Sequence, residues 1–99
     1  MKKRYQVNLS RHAQKDLEQV FDYIACDSMN NARNFILKLE QKIYSLEAFP
    51  FRNPLISENE LFDTDYRHLI YKKYRVIYQV TDQSVFILRI IHGAKLLEL

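Results

Sequence analysis

Four residues in the last third of this chain have the types that could move protons and hold an anion: His68, Arg75, His92 and Lys95. A metal-independent ribonuclease uses the RNA 2′-hydroxyl as its nucleophile. It needs a base for that hydroxyl, cations for the charge that builds on phosphorus, and an acid for the leaving oxygen. Two imidazoles, a guanidinium and an ammonium are suited to those tasks. The plain alternative is a solubilising sheet face with Arg and His at strand edges. Arg67, Lys72, Lys73 and Arg89 extend the cationic set. Together with Arg75 and Lys95 they form a candidate surface for nucleic acid or another acidic target. Lys72 and Lys73 also read as a solvated turn. Arg89, inside an apolar run, must reach the rim or pair with an acid.

The surroundings of these residues sharpen the contrast. From Tyr66 to Lys95 there are six Lys or Arg against one acid, Asp82, while Glu58, Glu60, Asp63 and Asp65 form an acidic stretch just upstream. Over all 99 residues the net charge is only +3. The sole glycine is Gly93, so no phosphate-binding loop or dinucleotide fingerprint can be written. Three dispersed histidines and one cysteine lack zinc-site spacing, so neither a metal nor a cofactor is expected. His12 reads as a surface residue at the start of a helix. Cys26 is alone, which excludes an internal disulfide and suits a reducing compartment, and the cytoplasm is the expected location. No apolar core follows Met1-Lys2-Lys3-Arg4, so no secretion signal is read, and no membrane association is expected.

The elements that must position the basic residues follow from periodicity. The chain is expected to form one domain over residues 1–99. Tyr5 to Leu9 alternates as a short strand. Ser10 is placed to cap a helix whose stripe is Ala13, Leu17, Val20, Phe21 and Ile24. Ser28 is placed to cap a second, with Ala32, Phe35, Ile36, Leu39, Ile43 and Leu46 inward. Pro50 and Pro54 end it near Phe49. Residues 51–65 read as a loop. Three strands follow, Tyr66–Tyr71, Tyr74–Val80 and Val85–Ile91, with links short enough to force hairpins. The expected fold is α+β, in the order β-α-α-β-β-β, a helical hairpin packed on a curved antiparallel sheet. The first and last strands are its expected edges.

Strand parity divides the sheet. One face would hold Arg67, Leu69, Tyr71, Tyr74, Val76, Tyr78, Val80, Val85, Ile87, Arg89 and Ile91 against the helices. The other would hold Tyr66, His68, Ile70, Arg75, Ile77, Gln79, Phe86, Leu88, Ile90 and His92, and is the expected exposed face. A bulge would reverse part of this assignment.

These elements and residues resemble the RelE/ParE superfamily of bacterial type II toxin–antitoxin toxins. The segments that carry the resemblance are YQVNLSRHAQKDLEQVFDYIA (5–25), ARNFILKLEQKIYSLEAFP (32–50) and YRHLIYKKYRVIYQVTDQSVFILRIIHG (66–93). The resemblance implies two helices on a curved sheet and a growth-inhibiting activity, often tied to plasmid stabilisation. It implies a cognate antitoxin partner in a hetero-oligomer. It also implies one of two targets, DNA gyrase for ParE-like members or ribosome-bound mRNA for RelE-like nucleases; a degenerate, inactive antitoxin-binding member is a third possibility.

By that resemblance Arg75 matches the arginine that RelE-like nucleases use on the phosphate. His68 falls at a cationic position one strand earlier, and Lys95 at a second basic position after the glycine. Those nucleases then use a tyrosine, where this chain reads Leu-Leu-Glu-Leu. Other nuclease branches use a C-terminal histidine, a role His92 would fill. The His-Gly step and the long helical hairpin are similar to ParE-like sequences, and gyrase inhibition is the favoured expectation.

Overall fold

In the computed structural model, residues 4–97 are described. Strand β1 (Gln6–Leu9) leads into helices α1 (Arg11–Ala25) and α2 (Met29–Tyr44), the latter extended by a 3₁₀ turn over Ser45–Glu47. A short helix α3 (Asn59–Phe62) precedes strands β2 (Arg67–Tyr71), β3 (Tyr74–Thr81) and β4 (Ser84–His92). Both helical starts are set by serine. Ser10 Oγ accepts from the Ala13 N–H at 2.9 Å, and Ser28 Oγ from the Asn31 N–H at 3.2 Å. No helix among the described residues is long and apolar enough to cross a membrane.

The sheet order is β1-β4-β3-β2. β2, β3 and β4 form the expected antiparallel meander, but β1 runs parallel to β4, so the sheet is mixed rather than antiparallel. Short links impose antiparallel pairing only on consecutive strands. β1 is separated from the others by the helical hairpin, which returns it alongside β4 in the same direction. β4 is therefore an inner strand, and the edges are β1 and β2 rather than the first and last strands. Part of the β2 edge is covered in turn. Leu55 bridges Arg67, and the His68 N–H donates to Pro54 O at 3.2 Å.

The hairpin links are two-residue turns at 72–73 and 82–83, with Lys72 and Asp82 at φ 55° and 32°. These are left-handed positions where glycine would be unstrained. Gly93 meets a different demand. Its N–H donates to Lys73 O at 2.7 Å, and a Cβ there would stand 3.3 Å from that oxygen.

The helices bury Ala13, Leu39, Ile43 and Leu46 against Val76, Tyr78, Val85 and Ile87. Up to Ile87 the sheet obeys the expected parity. The register between β3 and β4 then shifts, with Tyr78 opposite Ile87 and Ile77 opposite Arg89, leaving Leu88 as the extra residue. Beyond it the alternation is reversed. Ile90 joins the helix-side core, whereas Ile91 packs on the opposite face with Ile56, Ile77 and Leu97. That face was expected to be open; Ile56 and the tail residue Leu97 cover part of it, with Tyr66 and Leu88 at its margin.

Candidate functional site

Arg75 stands at the centre of the covered face. Its position on β3 points an arginine into a region closed by residues 56–58 from one side and 95–97 from the other. A buried guanidinium there must find partners. Nη1 and Nη2 donate to the two carboxylate oxygens of Glu58 at 2.9 and 3.0 Å. Nη1 also donates to Lys95 O at 3.1 Å, and Nε to His68 Nδ1 at 3.0 Å. Four of the five N–H groups are thus committed. Arg75 is 7% exposed and Glu58 3%. The Leu97 N–H completes the carboxylate shell at 3.0 Å.

The electrostatics follow from that geometry. The Arg75 hydrogen bonds hold the Glu58 carboxyl at a pKa of about 2, against the opposing effect of burial. Burial and the neighbouring Arg75 charge push the His68 pKa below its ordinary value, with Glu58 opposing. Because His68 Nδ1 accepts from Arg75, its neutral ring carries the proton on Nε2.

Around this cluster lies a groove of about 350 Å³ whose lining includes Glu58, His68, Lys72, Lys73, Arg75 and Lys95. Three of the four candidate catalytic residues therefore meet. His92 does not join them. The reversal after Leu88 sends it to the other side, where its ring lies edge-on to Tyr74 at 5.9 Å. It lines a second groove of about 680 Å³ between α1 and β4, with Asp16, Tyr23 and Arg89. Lys95 borders both grooves. Arg67 belongs to neither. It donates to Asn53 O at 2.6 Å beside the loop that follows α2. The six cations expected to form one target-binding surface are thus spread over three regions.

Arg89 meets the demand that an arginine in an apolar strand find an acid. Its Nε donates to Asp16 Oδ2 at 2.8 Å, and that oxygen also accepts the Ile90 N–H at 2.8 Å. The Ile90 N–H, past the last β1–β4 pair at Leu9 and Ile87, thus finds its acceptor on α1. Asp16 and Glu58 are the two residues that reasoning from sequence overlooked. Asp16 had a visible signal, lying three residues after Ala13 and four before Val20, on the buried side of α1. Glu58 had only its place in the acidic stretch. His12 is exposed, and among the described residues no three His, Cys, Asp or Glu side chains cluster as metal ligands.

With Nδ1 engaged by Arg75 and its proton on Nε2, the neutral His68 ring can donate a hydrogen bond to an anion but has no free nitrogen with which to take up a proton. With one N–H left, Arg75 can grip a phosphate through two parallel hydrogen bonds only if the pair with Glu58 opens.

The fold has clear relatives. A chain of the chromosomal ParDE toxin–antitoxin system from P. aeruginosa superposes with a TM-score of 0.74 at 18% identity, covering 89% of this chain and 95% of that one. A chain of the RelBE2 toxin–antitoxin complex from Mycobacterium tuberculosis gives 0.66 at 21% identity, over 90% and 98%. No curated protein sequence is significantly similar. The ParE toxin family of the type II toxin–antitoxin system parDE matches residues 7–97, nearly the whole chain, which therefore belongs to that family.

Proposed function

We propose that this ParE-family toxin acts in the cytoplasm as an inhibitory binder of DNA gyrase and is neutralised by a cognate antitoxin. The observation that carries the reading is the engagement of Arg75. The position that a RelE-like nuclease would use on phosphate is buried and held by Glu58, Lys95 O and His68. Opening a buried ion pair of this kind costs about 3–5 kcal/mol, which a nuclease would have to recover from its substrate. Inhibition by binding has no such requirement. The antitoxin is supported by both structural relatives, which are described as toxin–antitoxin assemblies.

A second reading, ribosome-dependent mRNA cleavage, draws on the neutral His68 beside Lys72, Lys73 and Lys95. Induction in cells, with protein synthesis and plasmid supercoiling followed together, separates the two. The gyrase reading expects filamentous cells and altered supercoiling while translation continues. An early arrest of translation with cleaved mRNA would replace it with the nuclease reading. Unimpaired growth would leave an inactive, antitoxin-binding member of the family.

A further inference from the structure

The segment after α2 leaves large apolar side chains at the surface. Phe49, Phe51 and Leu55 are 54%, 57% and 54% exposed. Their backbone is firmly held. The phenol of the fully buried Tyr78 donates to Pro50 O at 2.6 Å, and Asn53 Nδ2 donates to Tyr78 Oη at 3.2 Å. Arg67 donates to Asn53 O at 2.6 Å, and Tyr5 meets Phe51 edge-on at 6.2 Å. Exposed aromatics on a pre-ordered backbone lose little entropy on binding, and such residues dominate the centres of protein interfaces.

The charges around them are specific. Arg52 lies over the Phe49 ring and Arg67 over the Phe51 ring, each at 5.2 Å. A guanidinium stacked on a ring keeps its N–H edge available for a carboxylate. Beside Phe49 is a groove of about 400 Å³. Leu46, Ala48 and Leu69 supply apolar lining, and Arg4, Lys42 and Arg52 are its cations. Its one acid, Glu47, is paired with Arg4 at 2.7 Å. An apolar cleft with a net basic rim fits an apolar side chain flanked by acids.

We propose that this groove docks a segment of a partner protein in which an apolar anchor residue is flanked by Asp or Glu. The anchor enters beside Phe49, and the flanking carboxylates meet Arg52 and Lys42. The docking does not depend on what the toxin inhibits.

The test uses the full chain, a short synthetic peptide with leucine between glutamates, and its counterpart with lysine for glutamate. The acidic peptide should shift the amide resonances of residues 48–55, and its binding should weaken as salt rises. Phe49→Ser and Arg52→Glu, both at exposed positions that leave the core intact, should each weaken it about tenfold. Arg52→Glu should in addition gain affinity for the lysine peptide. Unchanged binding by either variant, shifts confined to other regions, or stronger shifts of the same resonances by an oligothymidylate would overturn the proposal.

Discussion

Replacing Glu58 by Gln tests the ion pair that defines the candidate site. The carboxyl titrates at about 2 rather than the usual 4.5. At 1.36 kcal/mol per pH unit, that difference corresponds to about 3 kcal/mol of stability from the ionised form. The folded-state pKa is depressed, so this contribution is complete above about pH 4.5 and is lost as pH falls towards 2. Glutamine keeps the shape but not the charge, and leaves Arg75 buried without a counter-ion. Urea denaturation of both proteins from pH 7 down to the lowest pH at which they remain folded isolates the effect. The other carboxylates titrate in both proteins and cancel. At neutral pH Glu58→Gln should be less stable by about 3 kcal/mol, and the gap should narrow steadily below about pH 4.5. A gap that stays constant with pH, or one under about 1 kcal/mol, would refute the assigned ion pair. The double variant Glu58→Leu with Arg75→Met replaces both charges by apolar groups, and should recover most of the loss.

Other perturbations address the same framework. His68 should titrate below 6.5 by NMR, and further below in Glu58→Gln, because Glu58 opposes the shift. Its folded form binds fewer protons than the unfolded chain, so its contribution to stability falls as pH drops below 6.5. Asp16→Ala strands the Ile90 N–H and one side of Arg89, and should lower stability by about 2–4 kcal/mol in urea. Tyr78→Phe removes the bond to Pro50 O, and should cost about 1–2 kcal/mol while speeding amide exchange across 51–53. Lys72→Gly relieves a left-handed backbone, and should raise the urea midpoint by the equivalent of about 0.5 kcal/mol.

The helices were legible because their information is local. Ser10 and Ser28 cap where a serine before an apolar stripe should cap, and Ala13, Val20, Ala32, Leu39 and Ile43 are buried as their spacing demands. The hairpin strands were legible for the same reason. What escaped was non-local. Nothing near Gln6 records that it will lie beside Ser84 in a parallel pair. The extra residue at Leu88 reverses the alternation with no glycine or proline to mark it, so unbroken strand parity puts His92 with His68 where the fold does not. Arg75 was recognisable as important, but its partner was not. A buried arginine requires an acid, and only the fold chooses Glu58 from four nearby acids in sequence.

The pairing of β1 with β4 also sets the order in which the molecule can be completed. Ser10 Oγ donates to Leu88 O, a bond that joins positions 78 apart. The helical hairpin can form before the sheet, but β1 has no strand to pair with until β4 exists. During synthesis the hairpin must therefore wait with its apolar stripe uncovered. The shell of the Glu58–Arg75 pair is complete later still, because it includes Lys95 O and the Leu97 N–H. The native sheet is thus complete only once β4 has been made, and a nascent chain that lacks β4 has neither the closed core nor the surface built upon it.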